Sequence, residues 1–527
     1  MAGHGLGSKA YLPPASRALS LAGWAAAALL VYAPILLILS RSFLRDGRCS
    51  LEAYADLVSA RVLGLLLRSA ALAAGATVLA LVLGTALALL VETRRIPCRP
   101  LLRLAALAPL LLPPYMQVAA WRPLLSSWAI HSEAVRLPAV VWILGISLAP
   151  LVFFFASQGI RGISGDLLDA ARTLGVQERT IALRIILPLA APMISTGAAI
   201  AFVLALLDQE TPSLLLVPAY STEIFLRMGR GPGAAFAASV PVILLAAVLV
   251  TAAWSWARRR GFSVTAGENP RTPFPARRID PLAVAVLLAS FGLLVLFPLV
   301  RLLQMAGSAR IFQEAWALYG PAFLEAVPVT LGGALGATVL AALILGRRGE
   351  TGTAGALLAW IPLAVPGTAL AAAFIEAWNR PGLDAVYKSP WILVAAGAVR
   401  LFPIAFHALA AHLRTVPPAL WEAADLAAVP ALRRFLRVWL PLAAPGLALA
   451  ACAGVVLQVG EVAAAVLLAP PGHRPPSVVI SAELHYNVNL DVPAALCLFQ
   501  VAAVLIMIAC IRIPARLLAP PAARDGG

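Results

Sequence analysis

Two groups of residues in this sequence are placed where they could do chemistry. The first is a set of polar and ionisable side chains inside long apolar runs: Asp208, Glu210, Arg400, Gln458 and Glu461. An ionisable group at membrane depth is costly and marks a functional site by default. Asp208 and Glu461 stand 253 positions apart, with Glu210 and Gln458 close by. A matched acidic pair of this kind could meet a cation or a delivered ligand on a translocation path. Equally, the two carboxylates could cap helix ends or bond interfacial water. Arg400 has Ser147 at the same offset, so it belongs to one half of the chain only. It could pair with Glu461 as a gate or as a buried structural bridge. His407 reads as a packed core histidine.

The second group is a polar segment that occurs twice at the same offset, from Arg161 to Pro192 and from Arg414 to Pro445, with 13 of 32 paired positions identical. Asp169-Ala170-Ala171 faces Glu422-Ala423-Ala424, and Leu187-Pro188-Leu189-Ala190-Ala191-Pro192 recurs as Leu440-Pro441-Leu442-Ala443-Ala444-Pro445. In each copy an acid-headed short helix is expected. Ser164 stands at the start of the first, with Gly175 as its stop, and Pro417-Pro418 opens the second. A further short helix carrying Arg179 and Arg184, or Arg433, Arg434 and Arg437, is expected to end at the Leu-Pro pair that starts the next span. A small Ala-Ala face between carboxylate and guanidinium groups suits a docking surface.

These residues sit in a chain of 527 residues that is 61% hydrophobic and 12% charged, with a mean hydropathy of +0.90. A soluble surface of that size needs more charge, so an all-α polytopic membrane protein is expected. A β-barrel would show alternation in short segments instead. The net charge of +16 comes almost wholly from Arg in short loops beside the apolar runs. That is the footprint of membrane orientation and not of a nucleic-acid partner. Cys49, Cys98, Cys452, Cys497 and Cys510 form no CxxC pair and have no His at ligand spacing, so neither a disulfide framework nor a metal site is expected.

Apolar windows give twelve expected spans. They lie near 19–39, 69–91, 101–120, 138–157, 190–208 and 233–256, then near 281–303, 325–346, 355–376, 390–411, 442–469 and 493–513. The first is read as an uncleaved span because its apolar run exceeds that of a signal peptide. Basic clusters at Arg94-Arg95-Arg99-Arg103, Arg258-Arg259-Arg260 and Arg433-Arg434-Arg437 place both termini and both repeated segments in the cytoplasm, against Arg41, Arg45 and Arg48 outside. The Pro-, Arg- and Gly-rich stretch from Gly261 to Asp280 reads as a cytoplasmic linker between halves 1–260 and 281–527. The offset also pairs Arg94-Arg95 with Arg347-Arg348, Pro109 with Pro362, Pro113 with Pro366 and Pro150 with Pro403. An even number of spans separates the copies, so the halves are two parallel six-helix repeats with one path between them. The prolines of the third span in each half are expected to break it, mainly for packing.

The repeated segments, 161–188 and 414–441, resemble the signature loop of binding-protein-dependent ABC import permeases: Glu/Asp-Ala-Ala, three residues, Gly, nine residues, Ile, any residue, Leu-Pro. The first matches through Asp169, Ala170, Ala171, Gly175, Ile185 and Leu187-Pro188, and the second through Glu422, Ala423, Ala424, Ala428, Val438 and Leu440-Pro441. Asp169 stands where Glu is usual, and Ala428 where Gly is usual, which weakens the tight turn of the second copy. In that family the loop is a coupling helix seated on a cytoplasmic ATPase. This chain has no GxxxxGK[ST] motif and only two lysines, Lys9 and Lys388. The resemblance therefore implies a transport subunit of the bacterial inner membrane, not an enzyme, with ATP and Mg held by separate ATPase subunits, one for each loop. It also implies an extracytoplasmic solute-binding protein. A fused two-half chain is similar to the ferric-iron and thiamine branch. Thr211-Pro212-Ser213-Leu214-Leu215, Thr222-Glu223-Ile224 and Leu484-His485-Tyr486 are more similar to the ferric members. The competing class is a twelve-span secondary transporter, which has no need of two docking loops.

Overall fold

The computed structural model describes residues 14–45, 48–94, 96–126, 132–259, 280–346, 352–426 and 430–518. Arg95, Arg260, Arg347, Arg348, the linker from 261 to 279 and Ala428 lie outside the described residues. In chain order the first half has α1 (Leu21–Ser42), α2 (Ala60–Thr93), α3 (Arg99–Leu111), α4 (Pro114–Leu125) and α5 (Glu133–Arg161). There follow α6 (Gly165–Thr173), α7 (Glu178–Leu207), α8 (Glu210–Leu214), α9 (Tyr220–Arg227) and α10 (Pro232–Trp256). The second half has α11 (Pro281–Ala306), α12 (Ala309–Leu345), α13 (Ala354–Ala364), α14 (Gly367–Trp378) and α15 (Trp391–Leu413). It ends with α16 (Pro418–Leu426), α17 (Leu432–Val459), α18 (Ala463–Leu468), α19 (Pro476–Tyr486) and α20 (Asp491–Leu518). Ten of these helices are long and apolar enough to cross a membrane, and counting each bent pair, α3–α4 and α13–α14, as one span brings the number to twelve.

The bends, 82° and 95°, fall at Leu112-Pro113 and Val365-Pro366. The residue before a proline is pushed out of the helical region. Leu112 accordingly sits at φ −112°, ψ 86° and Val365 at φ −84°, ψ 125°.

Proline acts differently at four other places. The helix does not end at Leu187-Pro188 or Leu440-Pro441 as expected; it runs on into the span, so α7 starts at Glu178 and not near 190. A five-residue π turn, Ala182–Ile186 or Phe435–Trp439, stands just before each pair. The same device precedes Pro34 (Ala28–Tyr32) and Pro298 (Gly292–Leu296). A proline ring collides with the carbonyl four residues back, and widening that turn carries the helix past the collision. One expected span is interrupted: the run near 442–469 stops at Val459 and resumes at Ala463 as α18.

The two sequence halves are not separate packing units. A Cβ on Gly23 of α1 would lie 2.9 Å from Leu343 Cβ of α12, and Arg41 Nε of α1 lies 2.5 Å from Glu376 Oε1 of α14. Reciprocally, α11 packs on the first half, where Trp121 meets Phe297 at 4.5 Å between ring centroids and Gln117 Nε2 donates to the Leu294 carbonyl. Each first span thus lies across the opposite half.

Candidate functional site

A cavity of about 260 Å³ opens between the halves, and all five candidate path residues line it: Asp208 and Glu210 from the first half, Arg400, Gln458 and Glu461 from the second. Its wall is mostly aliphatic, with Leu112, Leu144, Leu204 and Met507 among the lining residues.

The acidic pair is built the same way twice. Asp208 Oδ1 accepts the Thr211 N–H at 2.8 Å, and Glu461 Oε1 accepts the Ala464 N–H at 3.1 Å. Each carboxylate thereby caps the short helix that follows, α8 or α18, where free N–H groups need a partner. The carbonyls at the same two positions accept Ser221 Oγ at 2.9 Å and Ser477 Oγ at 3.2 Å. The offset is 253 for the caps and 256 for these serines, so the extra residues of the second half fall between α18 and α19. Capping, the simpler of the two readings of this pair, is what the geometry contains, inside the cavity wall.

Arg400 Nε lies 3.2 Å from Glu461 Oε2, with the two side chains 14% and 22% exposed. Its Nη1 donates to the Val365 carbonyl at the break between α13 and α14. Arg400 is therefore a bridge that ties α15 to the α17–α18 break and to a carbonyl left free by the bend. On the facing side, Glu210 Oε2 accepts Ser481 Oγ at 2.6 Å, and Ser213 Oγ lies 3.1 Å from His485 Nε2, joining α8 of one half to α19 of the other. His407 is stacked on Trp360 at 3.9 Å, as a packed core ring.

Sequence reasoning passed over Gln500 and Tyr115. Gln500 Nε2 lies 2.5 Å from Tyr115 Oη and 2.9 Å from the Val459 carbonyl, and it lines the cavity. A lone amide in the last apolar run was the available signal. Glu92, fully buried, was also missed; it receives Arg103 at 2.9 and 2.6 Å and Ser157 Oγ at 2.6 Å. Among the described residues no group of three or more His, Cys, Asp or Glu is gathered as a metal site requires.

The repeated loops project as short helices. Gly175 closes α6 at φ +75°, with its N–H on the Arg172 carbonyl at 2.8 Å and the Val176 N–H on Ala171 at 3.1 Å. This is a Schellman stop that a side chain would strain. Ser164 has the backbone conformation of an N-cap but makes no side-chain capping bond. The Ala-Ala face needs correcting: Ala170 is exposed while Ala171 is buried beside Leu168. Adjacent helical residues point about 100° apart, so Ala171 turns to the side of Leu168 while Ala170 faces out. In the second loop Glu422 and Ala423 are exposed and Ala424 is half-buried. Arg172 bonds both Asp169 (2.7 Å) and Glu178 (2.8 Å), clipping α6 to the start of α7. Burial lowers the affinity of this guanidinium for its proton, but the bonds to Glu178 and Asp169 outweigh burial and hold its pKa above the usual value. At the equivalent positions the sequence of the second loop carries Asp425 and Ala431, so the residue types of this clip are not repeated there.

The chain matches the family described as "Binding-protein-dependent transport system inner membrane component" over residues 80–253 and again over 333–521. The two matches begin 253 positions apart and together span well over half of the chain. A comparison with curated proteins gave no match.

Proposed function

The chain belongs to the family of binding-protein-dependent transport system inner membrane components, and on that premise we propose that it forms the whole translocation path of an ATP-driven importer. It is a multi-pass transport subunit of the inner membrane. In this reading α6 and α16 are coupling helices, each seated on one of two cytoplasmic ATPase subunits. Those subunits hold ATP and Mg, and an extracytoplasmic solute-binding protein delivers the solute. Both termini and the segment from 261 to 280 are cytoplasmic, joining halves 1–260 and 281–527. Closure of the ATPase pair draws α6 and α16 together and re-opens the cavity to the opposite side.

The observation that carries the reading is the pairing of two equivalent short helices, α6 and α16, with one cavity lined from both halves. The resemblance to the fused permeases points first to ferric iron, with thiamine or another small solute as the alternative. Three carboxylates against one guanidinium around the cavity support a cation in either case. The aliphatic wall favours the second, a small organic cation with an apolar body.

Asp169→Lys with Glu422→Lys tests the coupling. In proteoliposomes with the ATPase partner, transport and solute-stimulated ATP hydrolysis are expected to fall at least tenfold while insertion and melting stay unchanged. Transport at the unmodified rate would sink the importer reading and favour the twelve-span secondary transporter.

A further inference from the structure

The cavity wall holds one side chain whose environment differs from everything around it. Gln458, on the last turn of α17, has a carboxamide oxygen that is buried and has no hydrogen-bond partner. Its Nε2 reaches only the Val329 carbonyl, at 3.5 Å. The amide lies in a slot between α12 and α15 whose sides are Gly333 and Gly397: a Cβ on either would come within 2.8 Å of Gln458 Cδ.

The other half shows what this slot replaces. At the same offset Gly333, Gly397 and Gln458 correspond to Ala80, Leu144 and Ala205, all buried and apolar. There, an ordinary helix crossing is filled by a leucine and two methyl groups. In the second half the same space has been emptied at two positions and refilled from a third, with a polar group. Apolar packing alone does not call for that exchange. Glycine weakens a helix interior relative to alanine, and a buried oxygen without a donor costs stability. Three further polar atoms on the wall are likewise unpartnered: Gln209 Oε1, Ser147 Oγ, on a side chain 5% exposed, and Gln500 Oε1, on one 2% exposed. Among the described residues the unmet groups of the wall thus include three amide oxygens and a hydroxyl, all able to accept a hydrogen bond.

We infer that Gln458 is the solute-reading side chain of the cavity: it swings from the slot between Gly333 and Gly397 and accepts, through Oε1, a hydrogen bond from an N–H group of a small organic cation. Asp208 and Glu210 of the other half supply the charge that attracts the cation, and Gln458 selects for its N–H donors. The inference rests on the cation reading of the cavity given above, and deepens it.

Two probes of like shape separate the possibilities: phenethylammonium, with three N–H donors, and phenethyltrimethylammonium, with none. Their affinities are measured by equilibrium dialysis against the purified full-length chain in lipid nanodiscs. The ratio of the two affinities is expected to fall about tenfold in Gln458→Met, which keeps the volume and removes the acceptor. Binding of the trimethyl probe should stay within about twofold, and Gln458→Glu should restore the ratio. Gly397→Ala, which closes the slot and holds the amide in the cavity, is expected to keep the wild-type ratio; a fall to the Gln458→Met value would overturn the swing. A ratio unchanged in Gln458→Met, with both probes still bound, would overturn the role of Gln458 and leave the cation reading standing. Binding of neither probe to the wild-type chain would overturn the cation reading and this inference with it.

Discussion

The bridge centred on Arg400 makes a quantitative prediction. Its guanidinium contacts Glu461 at 3.2 Å and the Val365 carbonyl, and both members of the ion pair are largely buried at 14% and 22% exposure. Arg400→Met leaves Glu461 with only its cap on Ala464 and strands the Val365 carbonyl. The uncompensated buried charge should cost about 3 kcal/mol, the low end of the range for a broken buried pair, because both side chains keep some exposure at the cavity. Glu461→Gln retains the cap through Oε1 but leaves Arg400 unpaired, at about the same cost. The double variant removes both charges together. Its remaining loss is the Val365 carbonyl and some packing, about 2 kcal/mol and not the sum of about 6. Thermal melts of the four proteins in one detergent at one scan rate give the order. The double variant should melt at or above either single one. Additive losses, with the double variant lowest by the sum, would refute the pairing of Arg400 with Glu461.

Two further perturbations follow from single contacts. Glu223 on α9, outside the spans, is bonded by Arg61 at 2.8 Å and by the buried Arg227 at 3.0 Å. Burial pushes its carboxyl up, but the two guanidinium groups overcome this and hold it below its ordinary value. A folded pKa below the unfolded one gives stability that is complete above the ordinary carboxylate value and is lost as pH falls through the folded one. Glu223→Gln should therefore melt well below wild type at pH 7, with the gap closing towards pH 3; a gap independent of pH would contradict this. At Gly84 a Cβ would lie 2.6 Å from the Ala149 carbonyl oxygen and 2.7 Å from the Phe153 nitrogen, so α2 and α5 touch backbone to backbone. Gly84→Ala should cost about 1–3 kcal/mol, whereas Gly64→Ala, with nothing within 4 Å, should be neutral or slightly stabilising. Equal melting of the two variants would refute the close approach.

Much of the frame was legible because one offset carries it. From α2 and α12 through α8 and α18 the observed elements keep the 253-residue spacing closely, including both bends, since the prolines that cause them are themselves repeated. The crossing of α1 and α11 onto opposite halves was not legible. Periodicity shows that a helix is apolar all round but not which neighbour covers it. The continuity of α7 past Leu187-Pro188 was hidden for another reason: proline ends a helix by local rules, and the π turn that rescues it is a response of the backbone without a residue signature of its own. The inward turn of Ala171 was legible in principle, because Ala171 lies three residues after Leu168 and so falls on the same apolar side of the helix.

The cavity also shows what joining the halves in one chain permits. Its charged lining is Asp208 and Glu210 from one half and Arg400 and Glu461 from the other. A symmetric pair of first halves would gather four carboxylates with no guanidinium, because Ser147 stands where Arg400 does. That charge repels itself strongly in a low-dielectric wall. A symmetric pair of second halves would balance two Arg400 against two Glu461 and leave nothing to attract a cation. The mixed cavity keeps a formal excess of two negative charges with its one guanidinium engaged by Glu461. The exchange of Ala80, Leu144 and Ala205 for Gly333, Gly397 and Gln458 follows the same logic, because a second Gln458 facing the first would need another emptied slot across the path. Sharing one fold constrains the backbone of both halves; fusion frees their polar side chains to differ, as Arg400 and Gln458, on the wall where a solute would pass, differ from Ser147 and Ala205 at the equivalent positions of the first half.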